Sequence, residues 1–156
     1  MDTLQALRGC EVFGALTDEE LQQIVPLCRE ERYPKDTLVF KEDEEAKTLY
    51  VLQEGQVRLE YEICPQPDYC QDATILLEQP GEVMGWSSLV KPRRLTAFGL
   101  CLTDVRVIAV DSQALDELME QNSHIGFVIV KELAGIINRR LKDAKGLTLH
   151  RLMGAL

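Results

Sequence analysis

The residues from Gly81 to Ala97, GEVMGWSSLVKPRRLTA, gather the groups with which this chain could hold a small charged molecule. Pro80-Gly81 signals a turn, Val83-Met84 is a short apolar run, and Gly85 turns the chain tightly. Trp86-Ser87-Ser88-Leu89-Val90 is then long enough for one helical turn, and the loop Lys91-Pro92-Arg93-Arg94 leads into a strand-like run at Leu95. A helical turn wedged between two strands aims several backbone N–H groups one way, an arrangement that suits phosphate or carboxylate. Ser87, Ser88 and Thr96 add hydroxyls. Arg94, or Arg93 beside it, offers a fork that pairs two oxygens at once. Each group also has a plainer reading: Trp86 as core packing, and adjacent arginines in a proline-containing loop as solvated charge.

Catalytic chemistry has less to work with. No G-x-S-x-G, Walker loop or G-x-G-x-x-G occurs, and Ser87-Ser88 have no histidine near them in sequence. The two histidines, His124 and His150, fall outside the β-rich region, so a cupin-like metal cluster cannot form there. No catalytic residue and no metal site is expected, and the chain reads as a non-enzyme. Five cysteines (Cys10, Cys28, Cys64, Cys70, Cys101) are spread through a chain whose start lacks a secretion signal, and reduced cytosolic thiols are the default. Cys64 and Cys70, six apart in the loop CPQPDYC, are a candidate disulfide or half of a metal site that lacks a second pair of ligands.

The elements that must position these groups follow from the rest of the chain. Its 156 residues are one domain able to bury a real core, with 46% apolar and 28% charged residues, as in globular proteins. No apolar run approaches about 18 residues, so no membrane span is expected. MDTLQALRGC lacks a basic-then-apolar leader, which points to the cytoplasm. Net charge -9 disfavours nucleic acid as a direct partner, because neutralising phosphates needs a basic footprint.

Thr17 with Glu20 makes a capping box, and Leu21, Ile24, Val25 and Cys28 share one apolar face, so a helix is expected over 17–28. From Glu31 to Val110 the pattern is of short strands: ERY, TLVFK, TLYVLQ, QVRLEY, then Ala73 to Leu77, Glu82 to Met84, Leu95 to Leu102 and Val105 to Val110. Roughly eight strands without intervening helices predict a mainly β fold with flanking helices, a jelly-roll barrel. Asp111 or Ser112 caps a following helix, Asn122-Ser123-His124 breaks it, and Ser123 caps a longer one. That last helix carries Ile125, Val128, Ile129, Leu133, Ile136, Ile137 and Leu141, a stripe too wide for one small domain to cover. A homodimer seam is expected along it, with packing wholly within one chain as the alternative. Arg139, Arg140, Lys142 and Lys145 read as a solvated helix end, and residues 144–156 as a weakly patterned tail. The layout is thus one domain over 1–156: a helical segment at 12–28, the barrel at 29–110 with the anion-binding stretch at 81–97, helices at 111–143, and the tail.

The Gly81–Ala97 stretch resembles the phosphate-binding cassette of the cyclic nucleotide-binding domain, roughly G-D-x-F-G-E-x-A-L followed by a short loop and R-[ST/A]-A. LYVLQEGQVRL over Leu49–Leu59 resembles that family's hairpin, with Gly55 supplying the positive φ, while Asp36 and Asp43 stand where the family has glycines. In the simplest register Trp86 replaces the glutamate that accepts the ribose 2′-hydroxyl. Leu95, followed by Thr96-Ala97, replaces the arginine that pairs the cyclic phosphate. The resemblance implies a regulatory sensor without an enzymatic role, its barrel retained and its usual ligand altered or lost. Gly85, Trp86, Ser87, Ser88, Arg94, Leu95 and Thr96 are the candidate ligand contacts. One alternative is a working cyclic AMP or cyclic GMP site that uses Arg94; another is a structural dimerisation module. No cofactor is expected beyond such a small ligand. The resemblance also implies that the last helix is a dimer helix and that an output partner, which the sequence does not name, is addressed through its movement. The family's DNA-binding helix-turn-helix has no counterpart after Leu141, so direct DNA binding is not expected.

Overall fold

Eight short strands alternate inward and outward side chains finely enough to give one sheet two buried faces. The computed structural model describes residues 2–154; the side chains of residues 63, 144–145 and 147–154 lie outside the described ones, and with them the expectations placed on Lys145 and His150. The strands are β1 Cys28–Tyr33, β2 Leu38–Phe40, β3 Thr48–Glu54, β4 Val57–Gln66, β5 Tyr69–Leu77, β6 Val83–Met84, β7 Phe98–Cys101 and β8 Val105–Asp111. They form two antiparallel four-stranded sheets, β1-β8-β3-β6 and β2-β7-β4-β5, a jelly-roll-like pair and not a closed barrel. In β3, Leu52 turns toward the opposite sheet with Val57, Leu59 and Val107. Leu49 and Val51, on the other face, pack with Val83, Ile108 and Val110 under the helices. The two-residue side-chain period of a strand produces both cores.

Four helices complete the chain: α1 Thr3–Arg8, α2 Asp18–Ile24, α3 Ser112–Gln121 and α4 Ser123–Gly154. The Thr17–Glu20 capping box is formed in both directions, at 3.3 and 3.0 Å. Helix α2 is shorter than the 17–28 expected: Val25–Leu27 is a 3-10 turn, because Pro26 has no N–H to donate and disfavours helix before it. Asp111 caps α3 by accepting from the Ala114 N–H at 2.9 Å. Asn122, and not Ser123, caps α4, its Oδ1 accepting from Ile125 N–H at 3.4 Å. Helix α4 continues past Leu141 to Gly154, into the segment expected to be a weakly patterned tail.

Cys64 and Cys70 are joined as a disulfide, with their Cα atoms 4.0 Å apart. This corrects the default of reduced thiols for that pair. CPQPDYC is no open loop but the tip of the β4–β5 hairpin, whose register sets Gln66 opposite Tyr69 and so brings the two cysteines together across the ladder. Glu62, Cys64 and Cys70 place potential ligand atoms within 4.8 Å of one another, but both sulfurs are spent on each other and neither is a thiolate. Among the described residues, no helix is long and apolar enough to cross a membrane.

Candidate functional site

Gly85 stands between β6 and the 3-10 turn Trp86–Leu89 with φ 80°. A Cβ there would lie 2.8 Å from the Thr48 carbonyl oxygen, so neither the conformation nor the space suits another residue. This turn fixes the direction of Trp86, which is half-buried and packs against the helix-side core. Leu95 is 6% exposed and belongs to the core between the sheets. Its backbone is held by Glu44 (Leu95 N–H to O, 3.0 Å) and by Asp43 (N–H to Leu95 O, 2.8 Å). Trp86 and Leu95 are thus both taken up in packing against the two cores.

The other sequence-derived candidates separate. Ser87 and Thr96 line the space beside Trp86 and Leu95. Ser88 is buried, accepts a hydrogen bond from the Ser112 hydroxyl at 2.5 Å, and so ties the turn to α3 and not to a pocket. Arg93 pairs with Asp116 of α3 at 3.1 Å. Arg94 is exposed; its Nη1 donates to the Asp43 carbonyl at 2.8 Å, and it lines the outer cavity. On α4, Ile125, Ile129, Leu133 and Ile136 are buried in their own chain's core and Val128 packs against it. They therefore do not form the exposed seam expected of them, since the helix turns this face onto the sheet and the N-terminal helices. Ile137 is outward, with Phe127 (64% exposed), Val130 and Leu141.

The sequence reading missed the most unusual group in the site. Arg140, expected as solvated charge, is 5% exposed. Its guanidinium lies over the Trp86 ring, 4.6 Å from the centroid, where a cation is favoured by the ring's negative face. Nη2 donates to Glu11 Oε1 at 3.0 Å, and Nη1 is buried without a hydrogen-bond partner among the described residues. Glu11 Oε1 also accepts from Val83 N–H at 2.9 Å, and its Oε2 from Arg139 Nη2 at 2.9 Å. Burial lowers the Arg140 pKa, opposed by Glu11; guanidinium nonetheless stays protonated in proteins. The signal was present: Ile125, Ile129, Leu133, Ile136 and Arg140 fall at helical spacing on one face, which is the buried one.

These side chains border two spaces. An inner one of about 20 Å³, beside Gly85, Trp86, Ser87, Leu95 and Arg140, has room for little more than a water molecule. An outer cavity of about 740 Å³ opens between the β4–β5 hairpin, the cassette loop and α4. Its walls are Tyr61, Ala73, Ile75, Trp86, Pro92, Leu95, Ile137 and Leu141; Glu42, Asp43, Glu62 and Arg94 also line it. Burial raises the Glu42 carboxyl pKa, with help from Asp43 and Glu62. The arrangement can enclose a small, largely apolar molecule and present one buried cation to it.

A model of the family described as "Cyclic nucleotide-binding domain" matches residues 30–122. The cyclic AMP receptor protein of Thermus thermophilus is 24% identical over 138 residues, which are 88% of this chain and 60% of that protein. The chain therefore spans about 60% of the length of this curated relative. A crystal structure from Geobacter metallireducens GS-15, named provisionally as a cyclic nucleotide-binding protein, superposes with TM-score 0.74 at 31% identity, over 90% of this chain and 99% of that one. The N-terminal domain of a transcriptional regulator from Streptomyces coelicolor A3(2) gives 0.67 at 26% identity, over 90% and 94%.

Proposed function

The chain belongs to the cyclic nucleotide-binding domain family, and from that premise we propose that it is a regulatory sensor whose pocket has exchanged its ligand. Members of the family are non-enzymatic sensors. The observation that supports the proposal is the packing of Trp86 under Arg140 and of Leu95 in the core, at the two positions that the cassette resemblance gives to glutamate and arginine. Each lost charge-assisted contact is worth at least about 2 kcal/mol. Two of them together, about 4 kcal/mol, amount to roughly a thousandfold in affinity. The inner space also leaves no volume for a phosphate. Arg94 lines the outer cavity and not the inner space, and its Nη1 is engaged by the Asp43 carbonyl.

A ligand in the outer cavity touches α4 directly, through Ile137, Arg140 and Leu141. Its effect is then a population shift in which the cassette turn, the break at Asn122 and helix α4 move together toward an output partner. The outward residues Phe127, Val130, Ile137 and Leu141 are spaced by three, seven and four residues along one helix face and suit a homodimer seam. Residues 1–156 act as one sensing unit. The cytoplasm remains the proposed location, where a reducing poise would open the exposed Cys64–Cys70 bond. Calorimetry with cyclic AMP and cyclic GMP tests the exchange of ligand. No saturable heat is expected, and micromolar affinity that Arg94→Ala abolishes would overturn the reading.

A further inference from the structure

The five cysteines divide by environment. Cys10 and Cys101 are buried and Cys28 is half-buried. Burial pushes the Cys10 thiol up to about 12 and the Cys28 thiol up to about 11, and raises that of Cys101. Thiols held protonated in this way are inert. Cys64 and Cys70 stand apart at the exposed tip of the β4–β5 hairpin. Glu62 lies opposite Asp72 in that ladder, so Cys64, two residues further along, falls opposite Cys70 on the same face. The Cα atoms of the two cysteines are 4.0 Å apart. On that face Glu62 Oε1 lies 3.5 Å from Cys64 Sγ. All three side chains are exposed, and each offers a potential ligand atom within 4.8 Å of the other two.

We propose that the reduced hairpin tip is a binding site for a zinc-class ion, with Cys64 and Cys70 as thiolate ligands, Glu62 as carboxylate ligand and solvent in the fourth position. Tetrahedral ligands about 2.1–2.3 Å from the ion stand roughly 3.6 Å from one another, the spacing that Glu62 and Cys64 already have. Two thiolates select a borderline-soft ion over magnesium or calcium. The chain's net charge of -9 draws cations toward it. Loading takes two steps. A thiol or dithiol reductant first delivers two electrons and two protons to the Cys64–Cys70 bond and leaves as its own disulfide. The divalent ion then displaces both thiol protons to solvent. Disulfide and ion exclude each other, since each uses the same two sulfurs, and either one ties β4 to β5. The hairpin that walls the outer cavity with Tyr61, Ala73 and Ile75 thus keeps a cross-link in both redox states. Nothing in this site depends on what the pocket binds.

Zinc titration of the full chain against a chelating indicator, before and after reduction with a phosphine, tests the site. The reduced protein is expected to take up one zinc ion per chain at micromolar affinity or tighter, and the oxidised protein none. Reduced Cys64→Ser and Cys70→Ser should each lose that ion, and Cys28→Ser should keep it. Glu62→Gln should weaken uptake about tenfold, the equivalent of about 1.4 kcal/mol. With cobalt(II) as the probe, a thiolate-to-metal charge-transfer band should appear in the reduced parent and be absent from Cys64→Ser. No uptake by the reduced protein, equal uptake by the oxidised one, or zinc retained in Cys64→Ser overturns the site. Unchanged affinity in Glu62→Gln overturns the three-ligand set.

Discussion

The guanidinium of Arg140 lies 4.6 Å from the centroid of the Trp86 ring, joining the last helix to the turn of the cassette. Trp86 is half-buried and Arg140 buried, and Glu11 from the N-terminal segment pairs with the cation at 3.0 Å. Three distant parts of the chain therefore meet at one charged group, and a change at any of them is felt at the pocket.

Removing the two partners of this ion pair should have unequal consequences. Glu11→Leu strands a buried guanidinium and is expected to cost about 3 kcal/mol or more. Arg140→Met leaves Glu11 with Arg139 and the Val83 N–H, and a volume-conserving apolar replacement should cost less than about 1.5 kcal/mol. Urea denaturation of both variants measures the difference; equal losses would show that Glu11 gains nothing from its other donors.

Leu95→Arg would place the arginine that the cassette resemblance expects at a position buried in the core. It puts a second cation into the core beside the spaces that Arg140 borders. A loss of about 3 kcal/mol or more is expected, with no gain of cyclic AMP affinity. A variant as stable as the parent would show that Leu95 has access to solvent or to an unrecognised partner.

Glu20 links α2 to the start of α4 through His124, Oε2 to Nδ1 at 2.5 Å. That hydrogen bond, followed by the Thr17 N–H, holds the Glu20 carboxyl below its usual pKa. A depressed folded pKa contributes stability above the unfolded value, about pH 4, which is lost as pH falls through the folded one. Glu20→Gln keeps the capping geometry but loses this contribution. The gap between parent and variant urea midpoints should therefore be largest near pH 6 and shrink toward pH 3. A gap that does not change with pH would contradict it.

The outward stripe of α4 predicts self-association. Sedimentation at micromolar concentration should show a dimer, and Phe127→Glu with Val130→Glu should give a monomer that keeps the parent's far-ultraviolet circular dichroism, since both side chains face outward, while its thermal midpoint loses the parent's dependence on concentration. These two positions leave the cavity intact, unlike Ile137 and Leu141. Monomer in both proteins would remove the seam.

Much of this was legible in the sequence where local chemistry decides. The strand runs, the Thr17 capping box and the left-handed Asp36 and Asp43 (φ 69° and 65°) depend on residues within a few positions of one another. What escaped depends on pairing across the chain. The apolar stripe of α4 was visible, but which half faces the sheet is settled by Glu11, Leu49 and Val110, far away in sequence. Arg140 was read from its charged neighbours and not from its phase with Ile136 and Leu133. Cys64 and Cys70 looked like loop residues because the turn at Pro67-Asp68 is what makes their strands adjacent.

With Trp86 the chain's single tryptophan, one indole N–H cross-peak in a ¹⁵N correlation spectrum reports the cassette directly. Titration with cyclic AMP to millimolar concentration is predicted to leave that peak and its position unchanged. A saturable shift of the Trp86 indole at micromolar cyclic AMP would contradict the account.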